Sequence, residues 1–366
     1  MSGPSVTLLY PAPFGDDGVF GGGERYFVEL GRALGERVPT RLISFGERAR
    51  VERIGNAELE IVQPAGYAHG ERGNPLSLAF LPRLKQSDVV HCLAWNTLST
   101  DLAVAYGRLT QRPVFVTDVG GGARRTLQRW LPIGDWVREF LLIAEVAREQ
   151  FARFSAKTRI IYAGVDLELF HPGTEQRRGV IFVGRLLPHK GIDYLIRAVD
   201  PTVPLTIVGR PYMERYSELC RELAAGKNVR FVTDATDAEV AQLLRSAEVA
   251  VLPSVYTTVF GDRNGLPELL GFAAMEAMAS GTATICTRVG GLPELVVDGE
   301  SGFLVPPNDS DALGERIRQI LRDPAMGRAL GRAGRERIEA RFSWPAVAAR
   351  CIEAYESAIE RAHAHA

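Results

Sequence analysis

Short runs of apolar residues alternate along the chain with longer segments in which apolar residues recur every three or four positions. The runs predict strands and the longer segments predict helices. Several runs, such as Val180–Val183 and Val249–Leu252, are apolar without interruption. That pattern is typical of strands buried on both faces, and therefore of parallel sheets covered by helices. Strand–helix–strand order predicts a doubly wound α/β fold.

The predicted strands fall into two groups, one in each half of the chain. Those of the first half are Val6–Tyr10, Arg41–Phe45, Val89–Cys92, Val114–Thr117, Leu141–Ala144 and Arg159–Tyr162. Those of the second half are Val180–Val183, Leu205–Val208, Val229–Val232, Val249–Leu252, Ala283–Cys286 and Gly302–Leu304.

A polar segment between the two groups, residues 164–179, contains Pro172 and an Arg177–Arg178 pair and predicts a linker between similar domains. We therefore expect domains at 1–165 and 180–343, with the linker at 166–179. A helix is predicted over Arg316–Ala340. The last helix, residues 344–366, follows Ser343 as a plausible N-cap.

Composition indicates an ordinary globular protein, because 46% of the 366 residues are hydrophobic and 24% are charged. No apolar run reaches the roughly 18 residues of a membrane span, and the first residues lack a signal-peptide pattern. The four cysteines are far apart, which favours a reducing, cytoplasmic setting over a disulfide scaffold or a thiolate zinc site. A net charge of -1 argues against nucleic acid as a partner.

Two glycine-rich or basic stretches follow predicted strands and suit a phosphate-bearing ligand. Gly21–Gly22–Gly23 precedes a predicted helix, so its backbone could approach a diphosphate at the helix N-terminus; a mobile loop is an equal alternative. In Gly184–Gly191, Arg185 can bind phosphate oxygens with its planar fork and Lys190 offers a point charge. Together these two cations could neutralise a leaving diphosphate without a metal ion.

Two further stretches extend the predicted site. Glu268 and Glu276 are separated by seven residues at the opening of a predicted helix, and eight positions span about 12 Å along a helix axis. Glu276 lies in an apolar row, where a carboxylate is costly without a partner. The amides of residues 270–272, which are Leu270, Gly271 and Phe272, would face phosphates. Residues 289–294 (VGGLPE) contain a glycine pair that suits a tight turn, with packing and ligand contact equally open.

These motifs resemble those of glycosyltransferase family 4, which has the GT-B fold. The resemblance runs through VGRLLPHKG, LTIVG, VRFVTD, PELLGFAAMEAMASGTATICT and VGGLPELVVDGESGFLVPP, and in the first half through GGGERYFVELGRAL and YAGVDLELFHP. It covers most of the chain. It implies two Rossmann-like domains facing each other across a cleft, with the last helix crossing back to the first domain.

The resemblance also implies roles for individual residues. Arg185 and Lys190 would clamp the diphosphate of a UDP- or GDP-sugar, Glu276 would hold the ribose, and Glu268 would hold the transferred sugar. The remaining donor-binding positions are Gly22 and Gly23 from the first domain, Gly184, Gly209, and Val232 or Thr233 near the base. Neither a metal nor a cofactor is implied.

The chain departs from the family pattern at two points. Glu268–Leu269–Leu270–Gly271 stands where many relatives have Glu-Gly-Phe-Gly. Val119 stands where many relatives have a histidine near the reacting carbon, so Asp118 is the only nearby ionisable group. Asp118 could orient a sugar or acceptor hydroxyl, or simply cap the glycine-rich turn. We expect His91, after another strand, to be a packed or turn-bonded residue.

The implied reaction is a retaining transfer in which the diphosphate leaves and the acceptor attacks on the same face. The acceptor, a glycan, a lipid-linked saccharide or a small metabolite, would bind the first domain. Residues 123–139 carry arginines with Trp130 and Trp136, which suits either an acceptor or an anionic membrane surface, although Pro132 and Gly134 interrupt the segment. A sugar-nucleotide epimerase and a non-catalytic sugar-nucleotide binder are the alternatives.

Overall fold

Two sheets of mostly parallel strands organise this computed structural model, which describes residues 3–14, 22–119 and 126–363. The chain divides into two units. The first comprises Met1–Gly164 together with Trp344–Ala366, and the second comprises Val165–Ser343. The predicted Gly21, Gly120–Gly122 and residues 123–125 lie outside the described part.

In the first unit, helices and short turns connect most successive strands. In chain order the elements are β1 (Val6–Pro13), α1 (Gly22–Gly35), β2 (Thr40–Phe45), β3 (Arg50–Ile54), β4 (Ala57–Val62), β5 (Gly66–Tyr67), β6 (Pro75–Leu76), β7 (Val89–Cys92), α2 (Leu98–Thr110), β8 (Val114–Val116), α3 (Ile133–Trp136), β9 (Glu139–Leu142) and β10 (Thr158–Ile160).

The elements of the second unit follow, and the last helix returns to the first unit. In chain order they are β11 (Val180–Val183), α4 (Ile192–Ala198), β12 (Leu205–Val208), α5 (Glu214–Ala224), β13 (Val229–Val232), α6 (Asp237–Ser246), β14 (Val249–Leu252), α7 (Phe272–Ala279), β15 (Ala283–Thr287), α8 (Leu292–Leu295), β16 (Phe303–Val305), α9 (Ser310–Arg322), α10 (Pro324–Arg341) and α11 (Trp344–His363).

Within the described residues, the sheet of the first unit has the order β10-β9-β8-β7-β1-β2-β4-β3, and only the β3–β4 pair is antiparallel. The sheet of the second unit has the order β13-β12-β11-β14-β15-β16 and all its pairs are parallel. The direction of winding reverses between β1 and β7 in one sheet and between β11 and β14 in the other. In such sheets, a ligand binds outside the carboxyl ends of the strands at this reversal. The predicted doubly wound α/β class is confirmed.

Each of the twelve predicted strands overlaps an observed one, but β3 to β6 were not predicted. The β3–β4 hairpin carries charged residues in alternation and joins its strands through Gly55–Asn56, with Gly55 at φ +57°. A Gly–Asn pair between two short alternating runs is a hairpin signal that would have identified it. The apolar residues of β4 alternate with Glu58 and Glu60, and β3 is mostly exposed, so a search for uninterrupted apolar runs missed the hairpin.

One helix prediction also differs from the structure, and the described part of the arginine-rich segment 123–139 is mostly not α-helical. The predicted helix 316–340 is two helices, because Pro324 has no N–H with which to continue α9 and Asp323 caps α10 through the amides of Ala325 and Met326. Residues 127–139 form a short 3-10 turn, the four-residue α3 and the start of β9, and no continuous helix. Gly134 packs against the ring of Phe154, which leaves no room for a side chain.

The segment expected to be a linker, residues 166–179, lies against the second unit. Arg177 donates to the carbonyl oxygens of Gly281 (2.6 Å) and Ser280 (3.1 Å), and Glu175 accepts from Arg245. These bonds hold the segment along the body of the unit and explain why it groups with residues 180–343.

The last helix, α11, packs on the first unit through both apolar and polar contacts. Trp344 meets the ring of Tyr26 edge-on at 5.2 Å, and Arg350 donates to the carbonyl oxygen of Ile161 at 2.8 Å. Ser343, expected as its N-cap, donates its hydroxyl to the carbonyl of Glu339. Among the described residues, we find no helix with the length and apolarity needed to cross a bilayer.

His91 in β7 links α11 to the sheet, and it is fully buried as expected. Thr117 donates its hydroxyl to the Leu141 carbonyl, so it must accept from Nε2–H of His91 at 2.8 Å. Nδ1 of His91 then accepts from the hydroxyl of Tyr355 at 2.8 Å. Burial lowers the pKa of His91 to about 3, so the ring is neutral and its two nitrogens have fixed roles.

Tyr355→Phe should lower the free energy of unfolding by about 1–3 kcal/mol, because it leaves Nδ1 of buried His91 without a donor. Denaturant titration of both proteins measures the difference. Tyr106→Phe is the matched control, since Tyr106 in α2 is half-buried and its hydroxyl makes no hydrogen bond among the described residues. Equal losses in the two variants would contradict the role given to the Tyr355–His91 bond.

Candidate functional site

Three predicted site residues lie at the C-terminal ends of adjacent strands, at the carboxyl edge of the second sheet. Gly184 and Gly209 follow β11 and β12, and Val232 ends β13. The amide of Gly184 donates to Val208 and that of Gly209 donates to Val232, at 2.9 and 2.8 Å. A Cβ on Gly209 would lie 1.8 Å from the Gly184 carbonyl oxygen, so glycine is required there by the close approach of two loops.

Lys190 and Glu268 meet where the second sheet reverses its winding. Nζ of Lys190 lies 2.5 Å from Oε1 of Glu268, and the Ser254 hydroxyl donates to the same oxygen at 2.6 Å. The Lys190 and Glu268 side chains are 14% and 7% exposed. A carboxylate this deeply buried requires a partner of opposite charge, and here it has one.

Gly191 explains how the two loops reach each other. It follows the 3-10 turn Pro188–Lys190 with φ +65°, and a Cβ there would lie 2.0 Å from the Pro253 carbonyl oxygen. The amide of Val255 also donates to the His189 carbonyl at 2.8 Å. The loop after β11 therefore lies directly on the loop after β14.

The predicted glycine pair at residues 290–291 holds the backbone of Glu268. Gly290 has φ +53°, and a Cβ on it would lie 1.8 Å from the Glu268 carbonyl oxygen. That oxygen accepts from the Gly291 amide at 3.2 Å, while the Gly290 amide donates to the hydroxyl of Tyr256 at 2.8 Å. Packing of this kind fixes where the Glu268 side chain starts.

The site carries more positive than negative charge near Glu268. Burial of the ring is the main cause that lowers the pKa of His189, and the charges of Lys190 and of the exposed Arg185 lower it further. The Glu268 carboxylate opposes this shift. The charges of Lys190 and Glu268 cancel, so Arg185 gives these three residues a net positive charge.

Helix α7 begins at Phe272 behind this group. Its N-cap, Gly271, has φ +85°, and a Cβ there would lie 2.4 Å from Leu292. Within the part of the chain that the structure describes, no hydrogen bond uses the amides of residues 270–272. The sequence suggested that Glu268 and Glu276 are spaced along one helix. This is wrong, because Glu268 precedes the first residue of α7 by four positions. Glu276 lies inside α7 and is 9% exposed.

The remaining predicted residues lie on other elements. Thr233 is exposed at the end of β13, an edge strand. In the first unit, Gly22 and Gly23 open α1, and a Cβ on Gly23 would lie 2.7 Å from the Tyr10 hydroxyl. Asp118 follows β8 and accepts from the Trp95 amide at 3.4 Å, which places it at the carboxyl edge of that sheet.

Ser254 was not predicted from the sequence. Its residue type and position were the available signal, because a polar residue two positions after the buried strand β14 lies at the carboxyl edge of a parallel sheet. Ser254 is fully buried, and its carbonyl accepts from the Thr287 hydroxyl at 2.6 Å. In the described ranges, no three His, Cys, Asp or Glu side chains are gathered so that they could hold a metal ion.

Comparisons with known proteins agree with this geometry. Residues 170–337 match the family described as glycosyl transferases group 1, so the second unit carries a domain of that group. The chain is 25% identical to sucrose-phosphate synthase (tll1590) from Thermosynechococcus elongatus, with a TM-score of 0.70 over 98% of this chain and 99% of that one. The overall fold is that of the GT-B glycosyltransferases.

Two curated relatives match more strongly in sequence but over less of their length. MMP alpha-(1->4)-mannosyltransferase from Mycolicibacterium hassiacum is 36% identical over 220 residues, which are 58% of this chain and 51% of that protein. D-inositol 3-phosphate glycosyltransferase from Corynebacterium diphtheriae is 34% identical over 226 residues, 54% of this chain and 50% of that protein. The chain thus spans about half the length of these two curated relatives.

Gly290→Ala should lower the free energy of unfolding by about 2–5 kcal/mol, since its methyl group combines left-handed backbone strain with a clash against the Glu268 carbonyl. Gly226→Ala is the matched control, because Gly226 has φ +75° but open space around it. It should lose only the strain, about 1–2 kcal/mol. Denaturant titration measures both, and a Gly290 variant no weaker than the control would refute the close approach.

Proposed function

We propose that this chain, with a glycosyl transferases group 1 domain in its second unit, is a retaining glycosyltransferase. It would move a hexosyl-type sugar from a UDP- or GDP-sugar to an acceptor hydroxyl without a metal ion. The observation that supports this best is the Lys190–Glu268–Ser254 group at the reversal of the second sheet, next to the uncompensated charge of Arg185.

The diphosphate would bind to Arg185, Lys190 and the amides that precede α7. An arginine can bind two phosphate oxygens at once, and the amides at a helix N-terminus add partial positive charge. Lys190 has three N–H donors and uses one on Glu268, which leaves two for phosphate oxygens. This set of donors would take the role that a divalent cation has in other transferases.

Glu268 would hold the transferred sugar through the oxygen that the protein does not use. Both Lys190 and Ser254 bond to Oε1, and Oε2 makes no hydrogen bond among the described residues. An ionised carboxylate is an acceptor for hydroxyl groups, of which a hexose has several. The same residue therefore connects the sugar to the cation that binds its leaving group.

The other predicted residues would complete the donor site. Glu276 would hold the ribose, and Val232 or Thr233 would lie near the base. From the first unit, Gly22 and Gly23 would border the phosphates, and Asp118 would orient a sugar or acceptor hydroxyl.

The reaction would break the bond between the sugar C1 and the phosphate oxygen and form a bond from C1 to the acceptor oxygen on the same face. The acceptor proton would pass to the departing phosphate oxygen, so no protein nucleophile is needed. Arg185 and Lys190 would stabilise the charge that develops on the phosphate, in a place where donors are already oriented.

The acceptor would bind the first unit, and it stays open between a glycan, a lipid-linked saccharide and a small metabolite. The two curated relatives are named for mannosyl transfer and for D-inositol 3-phosphate, which favours a sugar or polyol hydroxyl. Trp130 and Leu131 are exposed next to Arg129, and this group would suit an acceptor with an apolar part or contact with an anionic membrane.

A panel of UDP- and GDP-sugars should raise the melting temperature of the protein, because a ligand that binds only the folded state stabilises it, by about 2.7 kcal/mol at 100 times its Kd. Arg185→Gln and Lys190→Gln should reduce the shift. Arg322→Gln, an exposed cation at the end of α9, is the control and should not. Unchanged shifts in the two site variants, or loss of turnover with a chelator, would refute metal-free diphosphate binding.

Glu268→Gln should lower kcat/KM for transfer about 10- to 150-fold, because a hydrogen bond to a charged group contributes about 1.5–3 kcal/mol. Glu300→Gln, at an exposed turn, serves as the control. Product analysis distinguishes the alternatives, since a transferase forms a new glycosidic bond, an epimerase interconverts the donor, and a binder turns over nothing. Full activity of the Glu268 variant would remove this carboxylate from the mechanism.

A further inference from the structure

Arg185 has a single described contact for its guanidinium group. Its Cζ lies 5.6 Å from the centroid of the Tyr212 ring, over the ring. Among the described residues, no carboxylate pairs with Arg185 and no acceptor takes a hydrogen bond from its guanidinium. Arg197 differs, since it lies over the Tyr194 ring but also pairs with Asp193 at 2.7 Å.

Tyr212 is an exposed aromatic residue with no visible role in the core. Its exposed fraction is 61%, and its hydroxyl makes no hydrogen bond within the described ranges. The backbone fixes its place, because the loops after β11 and β12 pair through a Leu186–Pro211 bridge and a 3.0 Å bond from the Leu186 amide to the Arg210 carbonyl. Arg185 and Tyr212 therefore stand side by side at the carboxyl edge.

We propose that Tyr212 is a positioning residue that holds the Arg185 guanidinium ready for the diphosphate of the donor. This inference rests on the proposed function. A cation over an aromatic face is attracted by the charge distribution of the ring, and that contact leaves the N–H donors in the guanidinium plane available for phosphate oxygens. Without the ring, the Arg185 side chain would lose rotamer freedom when the diphosphate binds, and this loss would weaken binding. The ring restricts the side chain before binding and so reduces that loss.

The contact also explains why an aromatic residue is exposed here. A carboxylate could hold Arg185 equally well, but it would cancel the charge that the phosphate requires. An aromatic ring orients the cation without neutralising it. Tyr212 would therefore raise donor affinity through Arg185 and would contribute little to the stability of the fold.

The test is calorimetric binding of UDP and GDP, with the matching nucleosides as ligands that lack phosphate. Tyr212→Ala should weaken diphosphate binding about two- to fivefold, the range of an exposed cation–π contact, and should leave nucleoside binding and the melting temperature unchanged. Tyr212→Phe should restore wild-type affinity because it keeps the ring. Met213→Ala, an exposed apolar neighbour, is the control without effect.

The double variant with Arg185→Ala separates positioning from direct contact. Once Arg185 is absent, Tyr212→Ala should cause no further loss, because residues that act through one another are not additive. Additive losses, equal loss of nucleoside binding, or full affinity of Tyr212→Ala would each overturn the inference. If the wild-type protein bound neither diphosphate, the proposed donor site itself would be refuted, and this inference with it.

Discussion

A carboxylate removed from water needs a partner of opposite charge, and in the second unit this requirement is met by Lys190, whose ammonium group shares Oε1 of Glu268 with the hydroxyl of Ser254. The pair can form only if the loops after β11 and β14 lie against each other. Gly191 makes that approach possible, because it takes a positive φ and lies directly against the Pro253 carbonyl oxygen of the loop after β14. Gly290, also at positive φ, lets the loop after β15 lie against the carbonyl oxygen of Glu268. The positive φ angles of Gly191 and Gly290 therefore allow the loops to hold the Lys190–Glu268 ion pair in place.

The same pair determines how the site can act on a ligand. The pair uses Oε1 of Glu268 and one N–H of Lys190. Oε2 of Glu268 can therefore accept a further hydrogen bond, and Lys190 can donate two more. Arg185 adds a charge that no described carboxylate balances, and the amides before α7 add partial charges of the same sign. The proposed donor, an anion with sugar hydroxyls attached, would use all of these groups together.

The first unit satisfies the buried ring of His91 by a comparable long-range arrangement. His91 in the centre of the sheet is bonded on one side to Thr117 and on the other to Tyr355 of α11, which is 264 residues away in the chain. Because burial keeps His91 neutral, each ring nitrogen needs a partner of the correct type. The last helix thereby completes the core of the unit in which the chain begins.

The sequence by itself determined the fold class and twelve of the strands, because uninterrupted apolar runs such as Val249–Leu252 satisfy the requirement of strands buried on both faces. It also named Lys190, as a cation in the stretch after a predicted strand, and Glu268, as one of two spaced glutamates in a motif that resembles the family's. It did not show that they bond to each other, that Ser254 joins them, or that Gly209 and Gly290 are needed by facing loops. Those contacts join residues that are up to 78 positions apart in the chain. The order of residues in the sequence does not give the distance between such residues in space. Only the tertiary structure decided them, since burial and charge balance act between neighbours in space.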